Sequence, residues 1–192
     1  MAKGTINLKQ LNREIFSDKE LQAYIQTQAE KILVVNKNNL QKEFNDHPVT
    51  KEIQAGPDTL NSSGTLGGIG NLFSFIGFNR GSNPIKPVSD LISKITLGKL
   101  SKTSDDGAFT FTVNIPAKSE FEAVTKMPWE TGRSWLYDVE RSISGLGQYL
   151  YGKYNKSRSG SGVQSEKSVR STGFKPVPYF SSMLENFVKR LK

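Results

Sequence analysis

Between Asn61 and Pro87 the chain reads NSSGTLGGIGNLFSFIGFNRGSNPIKP, and no other stretch restricts the possible folds as much. Gly64, Gly67, Gly68 and Gly70 give a permissive backbone just ahead of the apolar run Leu72-Phe73-Ser74-Phe75-Ile76-Gly77-Phe78. A run with no polar alternation predicts a strand covered on both faces, delivered by a mobile loop. Such a strand is either central in a sheet or completed by another chain. The second choice makes Leu72, Phe73, Phe75, Ile76 and Phe78 the candidate subunit-interface residues.

The elements around this stretch are set by local chemistry. Ser17-Asp18-Lys19-Glu20 has the spacing of a capping box, with Phe16 and Leu21 at the staple positions. Apolar residues then recur at Leu21, Ile25, Ala29, Ile32, Val35, Leu40 and Phe44, close to helical spacing. No Gly or Pro intervenes before Pro48, so a helix is predicted over 18–45, about 40 Å long at 1.5 Å per residue. Its length fits either the backing of a sheet or a contact between subunits. Pro48 ends it through the residue before it and opens a second helix to Ala55, stopped by Gly56-Pro57.

Beyond the insertion at 61–87, Pro87 to Ile95 predicts a short helix with Pro near its first position. Residues 97–103 and 108–115 form a predicted hairpin about Asp106-Gly107, with Phe109, Phe111, Val113 and Ile115 on the core face and Thr110, Thr112 and Asn114 on the other. A helical turn is expected at 119–124. GRSWLYDVERSI at 132–143 reads as helix or strand, because short apolar segments are ambiguous. Residues 1–151 thus form an α/β body. The segment 152–178 is rich in Gly, Ser, Lys and Arg with almost nothing to bury, which predicts an extended basic arm. Residues 179–192 close the chain as an amphipathic helix packing on the body through Phe180, Met183, Leu184, Phe187 and Leu191.

Length and composition narrow the function. The 192 residues contain no cysteine, which removes disulfides, thiolate metal sites and Cys nucleophiles. The N-terminus has no apolar core of a signal peptide, and no run is long enough to span a bilayer, so a soluble protein made inside the cell, with no membrane partner, is expected. The formal charge of +8 is uneven, since residues 151–192 hold nine Lys/Arg against Glu166 and Glu185. Lys153, Lys156, Arg158, Lys167, Arg170 and Lys175 are therefore the candidate contacts to DNA or to an acidic partner; a solvated tail is the plainer reading.

No motif for catalysis emerges. His47 is the only histidine and precedes a proline at a helix end, where a capping or turn role is expected. A single His without Cys leaves no metal-ligand spacing. The glycines at 64–70 match neither the phosphate loop nor the dinucleotide fingerprint, since Asn71-Leu72-Phe73 follows them instead of Lys-Ser/Thr and they precede the apolar run. They serve loop freedom or a close backbone approach. Asp105 and Asp106 suit a hairpin turn. Trp129 and Trp135 beside Arg133 suit core packing or stacking on a partner. The expectation is no enzyme, no metal and no cofactor.

A long helix followed by His47-Pro48-Val49-Thr50, then Ser63-Gly64-Thr65-Leu66, and a closing Pro178-Tyr179-Phe180-Ser181-Ser182-Met183-Leu184-Glu185-Asn186 resembles the tail-completion and head–tail connector proteins of tailed bacteriophages. The likeness covers the ends of the chain and the order of its elements. The segment 60–70 expands the family's short Thr-Gly-Leu region. The resemblance implies an α+β fold, with a small, mainly antiparallel sheet packed on the long N-terminal helix and the C-terminal helix, and with an extended loop and arm. It further implies a homo-oligomeric ring, six- or twelve-fold, in the virion neck between portal-side and tail-side proteins. The terminator, stopper and adaptor positions all stay open, and so does passing contact with DNA. A basic nucleic-acid-binding module is the alternative.

Overall fold

A 28-residue helix, α1 (Lys19–Asp46), is the spine on which the other elements are laid. The computed structural model describes residues 18–68, 70–102, 109–128, 130–141 and 175–191. The N-cap of α1 is Asp18, whose Oδ1 accepts from the N–H groups of Glu20 (2.9 Å) and Leu21 (3.2 Å). The expected cap at Ser17 is corrected by one residue: a carboxylate here satisfies two of the helix's orphan donors itself. Ser17 and Phe16 lie outside the described residues. Pro48 opens α2 (Pro48–Ala55) as expected, and Gly56 at φ 81° terminates it.

The apolar run at 72–78 is not a strand. It forms the short helix α3 (Leu72–Ile76), capped by Asn71, whose side chain accepts from the Ser74 N–H at 2.8 Å. Gly77 then turns left-handed at φ 87°. The Gly77 N–H reaches the Ser74 carbonyl and the Phe78 N–H reaches that of Phe73, with the Phe73 and Phe78 rings 5.4 Å apart. These two bonds and the ring contact make a Schellman closure. Leu72, Phe73, Ile76 and Phe78 are buried in the chain's own core, and Phe75 packs partly buried against it. No second chain is needed to cover them.

Helix α4 (Lys86–Ser93) follows, then an antiparallel pair, β1 (Thr96–Lys102) and β2 (Phe109–Asn114). Leu97, Val113 and Ile115 rest on the core and Phe111 is half-buried, while Thr110, Thr112 and Asn114 face outward, so the expected alternation holds over these residues; the Phe109 side chain lies outside the described residues. The register is irregular between Leu97 and Leu100. At Gly98 a Cβ would come within 2.8 Å of the Thr112 carbonyl oxygen, so the close approach itself demands glycine. The expected Asp106-Gly107 turn lies outside the described residues.

Helix α5 (Lys118–Val124) leads to a second antiparallel pair, β3 (Lys126–Met127) and β4 (Glu130–Ser134). The ambiguous segment after Gly132 is divided: β4 ends at Ser134 and α6 (Trp135–Arg141) begins at the next residue. Trp135 is core, edge-on to Phe78 at 5.8 Å, and Trp129 is outside the described residues. The closing helix α7 (Phe180–Arg190) lies on α1, inserting Phe180 edge-on to Phe44 at 5.8 Å and pairing Arg190 with Glu43. The chain is therefore α+β, with two small antiparallel sheets beside a long N-terminal helix. No helix among the described residues is long and apolar enough to cross a membrane.

The apolar residues of α1 are unequally covered. Its buried residues are Leu33, Asn36, Leu40 and Phe44, whereas Ile32 and Val35, part of the same apolar spacing, are 56% and 58% exposed. No residue of α1 before Leu33 is buried. Leu21, Gln22, Ile25, Gln28 and Ala29 are half-buried, in the half of the helix that runs beside β1.

Candidate functional site

The densest polar cluster forms where α2, the loop 56–71 and the lead-in to α7 meet. Its centre is Glu52, a carboxylate only 1% exposed. Glu52 lies one helical turn after Val49 and beside Ile53, so α2 points it inward with its apolar neighbours. Its Oε1 accepts from the Leu72 N–H at 2.7 Å and from the Asn61 amide at 2.9 Å. Its Oε2 accepts from the Ser63 N–H at 2.7 Å and from the same amide at 3.1 Å. Charge-assisted bonds of this kind are stronger than neutral ones and let a carboxylate remain buried.

Asn61 carries the pattern outward. Its Oδ1 accepts from the Leu66 and Gly68 N–H groups at 3.0 and 3.2 Å. Asn71 ties the other end, donating to the carbonyls of Pro57 (2.5 Å) and Thr59 (3.1 Å). The loop expected to be mobile is therefore pinned at both ends and in its middle. Its glycines serve conformation and not space, since Gly64, Gly67, Gly68 and Gly70 all have φ between 63° and 87° and nothing lies within 4 Å of where a Cβ would stand.

The third contributor is the segment before α7. The Lys175 N–H donates to the Thr65 carbonyl at 3.0 Å, and the buried Tyr179 hydroxyl meets the Thr50 hydroxyl at 2.5 Å. Burial pushes the Tyr179 phenol up, so it stays protonated across ordinary pH. His47 caps α2, its Nδ1 accepting from the Val49 N–H at 3.3 Å, and its ring lies 4.7 Å from that of Tyr179. The expected capping role of His47 is what the geometry provides.

Burial lowers the His47 pKa from 6.5, against a smaller opposing effect of a hydrogen bond to the Pro178 backbone. A lowered folded-state value means that the unfolded chain takes up the proton first as pH falls, so folding stability drops below that pH. The expected slope from this one group is at most about 1.4 kcal/mol per pH unit. Urea midpoints between about pH 7.5 and 5.5 should fall, and His47→Asn, which retains a capping oxygen, should flatten the change.

Chemically this cluster is a clasp. Both Glu52 oxygens already accept two bonds each, and no described buried side-chain polar atom lacks a partner. Among the described residues no group of three or more His, Cys, Asp or Glu side chains is placed to hold a metal ion. Of the candidate cationic contacts, Lys175 is exposed beside the clasp, while Lys153, Lys156, Arg158, Lys167 and Arg170 lie outside the described residues. Sequence reasoning passed over Glu52. The available signal was a charged residue on the inward stripe of α2, between Val49 and Ile53. The chain matches no protein-family model, no curated protein and no solved structure.

Proposed function

We propose that the chain is a structural subunit of the neck of a tailed bacteriophage, assembled in the host cytoplasm and carried in the virion. In this reading like subunits form a ring, six- or twelve-fold, between portal-side and tail-side proteins, as terminator, stopper or adaptor. It performs no catalysis and uses no cofactor. The observation that supports this reading is the convergence of the segments carrying the phage resemblance. His47 and Thr50 contact Tyr179, Ser63 binds Glu52 of the same helix as Thr50, and Thr65 binds Lys175 in the lead to α7. Segments more than 100 residues apart in the chain (Thr50 and Tyr179 are 129 apart) are thereby built into one junction. A junction of this kind fixes the loop and the entry to the basic segment relative to the long helix.

The test is the mass of the purified full chain, alone and with tails or heads lacking their neck. A ring whose mass is a six- or twelve-fold multiple, or completion of the defective particles, is expected. A stable monomer that also fails to join either particle overturns the proposal. If that monomer binds duplex DNA with a steep salt dependence, the basic nucleic-acid-binding reading replaces it.

A further inference from the structure

Where β1 runs beside α1 there is a cleft that shares no residue with the Glu52 clasp. Its volume is about 810 Å³ and it opens to solvent, which places it in the size range of ligand clefts. Gln26 of α1 lines one side, and Leu97, Gly98, Lys99, Leu100, Thr112 and Asn114 supply the rest. The irregular register creates it. Between the pairs Leu97–Val113 and Leu100–Phe111, β1 has two residues, Gly98 and Lys99, where β2 has Thr112 alone. A bulge of this kind leaves its extra residue unpaired in the ladder and bends the strand. With no Cβ at Gly98, the backbone beside Thr112 and Asn114 is left bare.

The lining combines an aliphatic base with uncommitted polar groups. Leu97 and Leu100 are half-buried, while Gln26, Lys99, Thr112 and Asn114 are exposed. The lining residues include one ammonium and no carboxylate. No described residue bonds to the side chain of Lys99, Thr112 or Asn114. The Gln26 amide nitrogen donates to Glu30 at 3.0 Å, leaving its Oε1 as an acceptor. We propose that this cleft docks an extended acidic segment of a partner protein. A carboxylate of that segment pairs with Lys99 beside the donors of Thr112 and Asn114. One of its main-chain N–H groups donates to Gln26 Oε1, and a neighbouring apolar side chain covers Leu97 and Leu100.

Charge and shape select this occupant over the others. A nucleic-acid phosphate brings no N–H for Gln26 and no apolar group for the two leucines, and duplex DNA is held by many cations at once where the cleft offers one. A small free carboxylate would leave most of the cleft wet, whereas a bound small molecule has about 70–90% of its surface covered. A basic segment would meet the Lys99 ammonium with no acid in the lining to offset it. The proposal goes beyond the neck reading and holds whether or not the subunits form a ring.

The test is an NMR titration of the isotope-labelled full chain with the peptide acetyl-Leu-Glu-Val-Asp-Leu-amide. The Gly98, Lys99, Leu100 and Thr112 amide signals and the Gln26 side-chain amide are expected to move together, with half-saturation at about 1 mM or below. The same peptide with Gln and Asn in place of Glu and Asp should bind about tenfold more weakly or worse. Lys99→Glu, at an exposed position, should abolish the shifts with unchanged thermal unfolding, and Lys99→Arg should keep them. Shifts that the neutral peptide matches, that survive Lys99→Glu or that fall elsewhere on the chain overturn the proposal, as does no shift at about 5 mM peptide. Stronger shifts of the same amides with a short DNA duplex, or with sodium glutarate, assign the cleft to a phosphate or to a small carboxylate and overturn it equally.

Discussion

Glu52→Ala is expected to lower the free energy of unfolding by about 3–5 kcal/mol, enough to consume a large part of the stability of an ordinary domain. The change removes an acceptor from two backbone N–H groups, those of Ser63 and Leu72, and from the Asn61 amide. Each stranded buried donor costs about 1–3 kcal/mol. Glu52→Gln separates charge from shape. One carboxamide oxygen still accepts, but the NH₂ group then faces an N–H donor, so a loss of about 2 kcal/mol is expected. Urea denaturation measures both. Hydrogen exchange should show the Ser63 and Leu72 amides losing protection before those of α1. The exposed pair of Glu43 with Arg190 offers the contrast, since Glu43→Ala should cost under about 1 kcal/mol. Equal losses at Glu52 and Glu43 would remove the clasp from the account of this fold.

Helix ends were legible wherever one residue decides the matter alone. Pro48 must open α2 because it lacks the N–H that the helix cannot use there, and Gly56 can turn where other residues strain. The alternation along β2 was legible for the same reason, as a period of two needs no knowledge of the partner strand. The run at 72–78 was misread because five apolar residues in seven satisfy a buried strand and a short buried helix alike. The deciding signals lay just outside it, in Asn71 as a helix cap and Gly77 as a left-handed stop. Which apolar residues of α1 are covered, and that Ile32 and Val35 are not, was illegible for a different reason. The chain has two apolar stripes on one helix, and periodicity detects their sum without saying which one the core takes. Glu52 was hidden for a third reason: its partners at Ser63 and Leu72 are backbone groups, which carry no sequence identity at all.

Phe73→Ser should prevent folding, and this outcome separates a core residue from an interface residue. Phe73 is 2% exposed, its ring lies tilted 5.4 Å from that of Phe78, and its carbonyl closes the turn at Gly77 and Phe78. Deleting a buried phenyl ring costs about 3–5 kcal/mol before the added hydroxyl is counted. Phe78→Ser should follow it closely, because that ring also meets Trp135. Phe75→Ser, at a partly buried position of the same helix, should cost about 1 kcal/mol and leave a folded chain. Circular dichroism and thermal unfolding of the isolated variants read the difference without any partner present. A strand shared between subunits would give the opposite order of events: folded monomers of Phe73→Ser and Phe78→Ser that fail only on assembly. Because α3 closes on itself through Asn71 and Gly77 and faces inward, loss of the fold must come first, and any assembly defect in these two variants is its consequence.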